Sequence, residues 1–481
     1  MEEEVLEIRH SKLNMASYGS GSAAREFINM AFVGTVFFYY EAVVGLEVWV
    51  IFLGTFLFAL YNMVNDPLIG YLTNRPFKFT KKLGRRFPWL LLGGLPLCAS
   101  YIIVFMPPVT DPASGAGFLF AWMLFTMCLF DTFHSLFFVN FMALFPEKHR
   151  SNKERRIASG IYIPIGVIGV ALGALVPPLI FKYPGSPGYT RVAGLQSFII
   201  QGVVVALIAL LAMLLAIPGF REDKELVAEY LETYERNPDR ESFFKSLVTA
   251  LKQKSFIVYM VIYTMYQCQI VTMQNSINYE VAYVIAPVPG ITVNLMATLI
   301  FASFLVGVIV ATPFWVKYSN KTNNNKKIML TAAIGLGIMT LPLLFLTNYW
   351  GVVAVMFIWG LFLGGFWVMI FPVMSDVIDE SVVITGRREE GVYSGFSQFF
   401  ARIGLIAQTL TFAIVHSLTG FIEGGDPSIQ PASAITGIQI HLGLIPAIFI
   451  FIGALVFWKY YELTPEKIEA TKIKLGELGF K

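Results

Sequence analysis

The chain has 481 residues, of which 56% are hydrophobic and only 14% charged, and its mean hydropathy is +0.65. A soluble domain carries about 25% charged residues, so this composition excludes a soluble globular protein and leaves a polytopic membrane protein. The formal net charge of +3 is small, and its distribution along the chain carries more information than its size.

The opening MEEEVLEIRHSKLN is polar and has no apolar core, so it does not read as a cleavable signal peptide. A helical crossing needs about 20 apolar residues, and twelve such runs follow, roughly at 22–46, 48–73, 88–107, 117–145, 157–181, 194–217, 256–286, 291–317, 327–347, 350–378, 392–420 and 437–460. Helices are expected because each crossing must satisfy its own backbone, and the runs are too long and too uniformly apolar for barrel strands. Basic residues gather after the even-numbered runs: Arg75, Lys81, Arg85 and Arg86, then Lys148, Arg155 and Arg156, then Lys317, Lys326 and Lys327, then Arg387 and Arg388. The loop after run 6 adds Arg221, Lys224, Arg236, Arg240, Lys245, Lys252 and Lys254, whereas the loops after odd-numbered runs offer only Lys182 and Arg191. Both ends of the chain are therefore expected on the cytoplasmic side, most naturally of the cell membrane. The same topology accounts for the basic loops without nucleic acid. The charged stretch 218–254 reads as a linker between two six-helix halves, 1–217 and 255–481, and the tail beyond 464 as a short surface helix. Cys98, Cys128 and Cys268 lie inside apolar runs, with neither a disulfide pattern nor a metal-ligand spacing. No clustered His/Cys spacing occurs, and no metal or cofactor is expected.

Polar groups inside apolar runs are costly and mark candidate sites. Run 1 holds Arg25 and Glu26; run 2 holds Asn62, Asn65 and Asp66. Run 4 holds Asp131, His134 and Ser135; run 7 holds Gln274 and Asn278; run 11 holds Gln398 and Arg402. Asn62 and Asp66 are four residues apart and share a helix face. With Asn65 they offer the hard oxygen ligands that a small cation wants, or one carboxylate that a proton could occupy. The bland alternative makes Asp66 the fixed partner of a loop arginine, Arg75 or Arg85. Asp131 and His134 could bind substrate or relay protons, or form a satisfied ion pair. Gln274 and Asn278 suit a cavity wall, or equally an interhelical hydrogen bond. Asp376 and Asp379, Arg387 and Arg388 lie at the boundary of run 10 and read, with Arg75 and Arg85, as a gate network. His416 and His441 lie near the opposite ends of their runs and read as structural. There is no phosphate-cradling glycine loop and no nucleophile with a base, so no enzyme is expected.

Two loop patterns carry a resemblance. Asn62-Met63-Val64-Asn65-Asp66-Pro67-Leu68-Ile69-Gly70 leads into Arg75 and Gly84-Arg85-Arg86-Phe87-Pro88-Trp89. Asp376 and Asp379 precede Arg387-Arg388-Glu389-Glu390-Gly391-Val392-Tyr393. Over about Tyr18 to Tyr461 the chain resembles the glycoside–pentoside–hexuronide:cation symporters. These are a branch of the major facilitator superfamily that includes melibiose permease and the lysolipid symporters of animals. The resemblance implies two six-helix bundles and symport of a sugar or glycoside-like solute with a proton or sodium ion by alternating access, in a monomer surrounded by lipid. It implies that Asp66 is one of two coupling aspartates, with Asn62 standing where the other would be. That loss of ligand charge moves the expectation towards protons. It further implies Ser135 as the hydroxyl ligand, Arg402 as the balancing charge where the family has lysine, and Glu26 beside Arg25 as the substrate carboxylate. The family's second substrate carboxylate falls at Phe138, and its supporting arginine has no counterpart among Tyr162, Ile163 and Pro164. These losses favour a rival, a lysolipid-like or other amphipathic substrate. A non-transporting receptor or scaffold is the distant alternative.

Overall fold

The computed structural model describes residues 8–73, 75, 77–149, 151–223, 225, 227, 228, 231, 251–385 and 390–477. The described elements are helical: α1 Lys12–Phe38, α2 Val48–Thr73, α3 Phe87–Val104, α4 Pro112–Lys148, α5 Asn152–Ile180 and α6 Arg191–Phe220. They continue with α7 Lys254–Tyr279, α8 Val293–Thr322, α9 Asn325–Thr340, α10 Tyr349–Thr385, α11 Glu390–Thr419 and α12 Ala432–Tyr460. All twelve contain a stretch long and apolar enough to cross a membrane. A short helix, α13 Pro465–Glu477, follows where a surface helix is expected.

The helix ends are set by capping rather than by hydropathy. Ser11, Ser151, Thr190 and Thr292 each accept the backbone N–H three residues on, at the starts of α1, α5, α6 and α8. This is why α1 begins at Lys12 and not near residue 22: the cap lies well outside the apolar run. The interval 218–254 is shortened at both ends, by α6 running to Phe220 and α7 starting at Lys254; residues 232–250 lie outside the described residues.

The chain divides into two compact units. The first comprises Met1–Leu46, Phe56–Lys182 and Gly188–Arg240; the second comprises Glu47–Thr55, Tyr183–Pro187 and Glu241–Lys481. Each unit repeats one packing plan. In the first, α1 lies against α5 and α6, and α3 against α4 and α6. In the second, α7 lies against α11 and α12, and α9 against α10 and α12. The repeat extends to chemistry. Both α1 and α7 run into a π-helical turn, Tyr39–Val44 and Glu280–Val284, and each turn buries a glutamate that follows a tyrosine, Tyr40-Glu41 and Tyr279-Glu280. Small residues set the helix spacing where polar burial cannot. A Cβ added to Gly169 of α5 would stand 2.2 Å from the carbonyl oxygen of Ala23 on α1, so only glycine allows that approach. It fixes α5 beside the turn that carries Arg25 and Glu26.

Candidate functional site

Helices α2 and α4 bring the polar residues of runs 2 and 4 together in the first unit. They meet in parallel register. Asn62 pairs with Asp131, and one turn further on Asp66 pairs with Ser135, both pairs being 69 residues apart. Asn62 and Asn65 both donate their side-chain amides to Oδ2 of Asp131, Asn65 at 3.2 Å. The Ser135 hydroxyl donates to Oδ1 of Asp66. Tyr61 and Thr132 close the edge, with hydroxyls 2.7 Å apart, and Tyr61 reaches Oδ1 of Asn65 at 3.4 Å. Asp131, Asn62 and Ser135 are buried, whereas Asp66 is half-buried. The two carboxylates thus stand about one helical turn apart, roughly 5–6 Å along the axis. Pro67 lacks the N–H that would bond the Met63 carbonyl, which loosens α2 at this turn.

Among the described residues no basic group pairs with Asp66. Arg75 is exposed and folds onto Tyr71, its guanidinium 4.3 Å from the ring centre and bonded to the Tyr71 hydroxyl. Arg85 reaches Glu147 at 3.4 Å. Arg86 grips Glu147 through Nη2 at 2.9 Å and Nε at 3.3 Å, and donates to Asn140 at 3.2 Å. Glu222 accepts the backbone N–H groups of Arg86 and Phe87 at 2.7 and 3.0 Å. Burial still pushes its carboxyl above the ordinary value, with Glu147 adding to the effect. The basic loop is therefore clamped by Glu147, Asn140 and Glu222. The sequence reading did not single these out, although Glu147 follows directly on the Pro146 near the end of α4.

A second group lies on α1 and α4. Arg25 bonds the adjacent Glu26 and places its guanidinium 4.4 Å over the ring of Phe138. Phe138 stacks on His134 at 6.0 Å, His134 on Phe130 at 6.2 Å, and Phe130 on Phe32 at 4.0 Å. Phe138, which stands where the resemblance implies a carboxylate, gives Arg25 a cation–π contact instead of an ion pair. Asp131, expected with the substrate, directs its Oδ2 to the Asn62 and Asn65 amides, so it stands with the α2 cluster.

The remaining predicted residues belong to the second unit. Asn278 is buried and accepts the Tyr183 hydroxyl at 2.9 Å; Gln274 is half-buried one turn earlier on α7. Arg402 is half-buried on α11. Asp376 accepts from Asn325 at 2.8 Å, and Asp379 lies one turn further on α10. Glu380, next to Asp379, accepts from Gln253 at 2.8 Å and from Ser255. His416 and His441 are buried, 3.2 Å apart, and His441 meets Ser276 at 2.7 Å. Arg387, Arg388 and the side chain of Gln398 lie outside the described residues.

The family described as MFS/sugar transport protein matches residues 17–464. The chain belongs to this family. It is an integral, multi-pass membrane transporter acting on a small-molecule substrate, not an enzyme, and the receptor or scaffold alternative falls away. Among its relatives is the sodium-dependent lysophosphatidylcholine symporter 1 of Gallus gallus, 21% identical over 87% of this chain and 80% of that one. Another is the isoprimeverose transporter of Lactiplantibacillus pentosus, 22% identical over 90% and 85%. Solved structures share the fold. A bacterial homologue of the human lysosomal transporter Spinster aligns at TM-score 0.64 with 12% identity, over 95% of this chain and 97% of that one. The inward-open xylose transporter XylE of E. coli aligns at 0.57 with 13% identity, over 95% and 98%.

Proposed function

We propose that this transporter is a symporter driven by a sodium ion, which binds between α2 and α4. The observation that carries the reading is the convergence of Asp66 and Asp131 with Asn62, Asn65 and Ser135. Asp131 restores on α4 the carboxylate that Asn62 lacks on α2, so the cluster keeps two negative charges. Five oxygen-bearing side chains are a hard-ligand set. A cation entering beside Asp66 would draw the amide oxygens of Asn62 and Asn65 inward, an amide being able to present either end. The absence of a basic partner for Asp66 among the described residues leaves its charge available for a mobile ion. Proton coupling, towards which Asn62 alone points, becomes the rival outcome.

The substrate is a sugar or glycoside-like solute taken up by alternating access. Glu26 accepts its hydroxyl hydrogen bonds, and Phe138 and His134 supply flat faces. The name of the isoprimeverose transporter supports this class. A lysolipid-like substrate is the second reading, favoured by the run of stacked rings from Phe32 to Phe138 and by relatives named as lysophosphatidylcholine symporters. The protein acts as a monomer in the cell membrane with both ends cytoplasmic, as the basic loops imply.

The test is uptake of labelled glycosides, pentosides and lysolipids into proteoliposomes under an inward sodium gradient, an inward proton gradient or neither. Sodium-stimulated glycoside uptake that Asp66→Asn abolishes, with exchange retained, is the expected result. Uphill uptake undiminished in Asp66→Asn refutes the coupling site, and sodium-driven uptake of lysolipids alone replaces the substrate class.

A further inference from the structure

Three side chains of the first unit meet away from the α2–α4 cluster. His10 precedes α1, His149 ends α4 and Glu154 lies in the first turn of α5; one nitrogen or oxygen from each lies within 4.8 Å of the others. His10 Nδ1 stands 2.8 Å from Glu154 Oε1, and His149 Nδ1 stands 3.5 Å from the same oxygen. Ligand atoms at about 2.0–2.1 Å from a tetrahedral zinc ion are about 3.3 Å apart, so the two separations bracket the spacing that one ion imposes.

His149 supplies a second, independent indication. Its side chain is 0% exposed, and among the described residues neither ring nitrogen has a hydrogen-bond partner beyond the 3.5 Å approach to Glu154. A buried polar ring left in that state is rare and calls for a partner. A metal ion seated among the three groups would supply it.

The surroundings hold the ligands in place. Ser151 caps α5 by accepting the Glu154 N–H at 3.1 Å, and the His10 backbone N–H donates to Glu154 Oε1 at 2.9 Å. Arg155 donates to the His149 carbonyl at 2.6 Å and fixes the turn between α4 and α5. Asp223 lies 3.4 Å from His10 Nε2, the far side of the ring. That is the position of the outer carboxylate that fixes the tautomer of a metal-bound histidine.

We propose that His10, His149 and Glu154 form a binding site for one transition-metal dication of the zinc class, with water as the fourth ligand. His10 binds through Nδ1 and carries its proton on Nε2, donated to Asp223; any imidazolium proton present beforehand passes to solvent. Two imidazoles and one carboxylate select zinc, cobalt or nickel over sodium, magnesium or calcium, so the site is separate from the coupling cation. Bound metal ties the segment before α1 to the α4–α5 turn, and through Asp223 to the stretch after α6.

The test uses the full chain, expressed without a polyhistidine tag, purified in detergent and stripped with a chelator. Titration with Co2+ is expected to give the visible absorption of a tetrahedral site at one ion per chain, bleached by Zn2+. His10→Gln and His149→Asn are expected to abolish the bands, and Asp223→Asn to weaken binding about 10–100-fold. His10 is only half-buried and lies outside the helices, so His10→Gln eluting as the unaltered protein keeps the comparison independent of folding. No Co2+ bands in the unaltered protein, or bands unchanged in His10→Gln, overturns the proposal.

Discussion

Asp131→Asn separates the proposed coupling role of α4 from a purely structural one. The substitution keeps the shape of the side chain and removes its charge. A unit charge about 4 Å from a cation contributes about 4 kcal/mol at an effective dielectric of about 20. The amide oxygen that remains returns part of this, which leaves a loss of about 2–3 kcal/mol. At about 1.4 kcal/mol per decade, the half-saturating sodium concentration should rise roughly 30–150-fold. The hydrogen bonds weaken as well: both Asn62 and Asn65 donate to the single oxygen Oδ2 of Asp131, and an amide oxygen in that position accepts them without charge assistance. That costs about 1–2 kcal/mol of local stability. Substrate exchange between equal sodium concentrations is therefore measured alongside, as the control for folding. The assay is initial uptake into proteoliposomes against external sodium at fixed pH, and again against pH without sodium. A half-saturating sodium concentration unchanged in Asp131→Asn, with exchange intact, would show that Asp131 only accepts hydrogen bonds and would refute the reasoning.

Arg86→Lys keeps the charge but loses the fork that holds Glu147 at two points and Asn140 at a third; it should cost about 2–3 kcal/mol, read as a lower unfolding midpoint in detergent. Gly169→Ala places a methyl 2.2 Å from the Ala23 oxygen and should destabilise by about 1–3 kcal/mol, whereas at Gly34, where a Cβ meets nothing within 4 Å, the same change should be neutral or mildly stabilising. Glu222 gives a pH test. Its carboxyl is raised by burial, so between its ordinary and its raised value the folded chain holds a proton that the unfolded chain has lost. Stability should therefore fall as pH rises through that window, and thermal melts of Glu222→Gln across the window should show a flatter slope.

The fold was legible because it rests on a property that is additive along the chain. A crossing is a run of apolar residues, and such runs can be counted without knowing what packs on what. Their ends were less legible. A helix stops or starts where its last N–H or C=O groups find partners, and Ser11 supplies that partner to α1 far outside the apolar stretch. The repeat between the units was legible only in outline, from the basic loops that follow runs 2 and 8 in corresponding places. A packing plan depends on the sizes of buried residues, which many sequences satisfy, and Tyr40-Glu41 and Tyr279-Glu280 are a further trace that the structure brings out. The cluster of His10, His149 and Glu154 left no trace at all, because its members are 144 residues apart at the widest and no ligand spacing joins them.

At the candidate site, reading by position and reading by proximity give different expectations. Compared with the pattern it resembles, α2 has lost a carboxylate at Asn62, and counting charges on that helix alone points to a proton. An ion does not count by helix. Its binding energy depends on the charges within a few ångströms, and Asp131, on another helix but in register with Asn62, lies inside that radius. The two readings differ by one charge, and one charge at this range is worth more than every neutral hydrogen bond in the cluster. The same reasoning applies at Phe138. The lost carboxylate there is not replaced by another acid: Arg25 keeps Glu26 and takes the face of the ring. Charge is thus retained around Asp66 and reduced around Arg25. The proposed sodium coupling rests on that asymmetry. Charge lost around Asp66 and kept around Arg25 would have favoured the rival proposal, proton coupling with the substrate class unchanged.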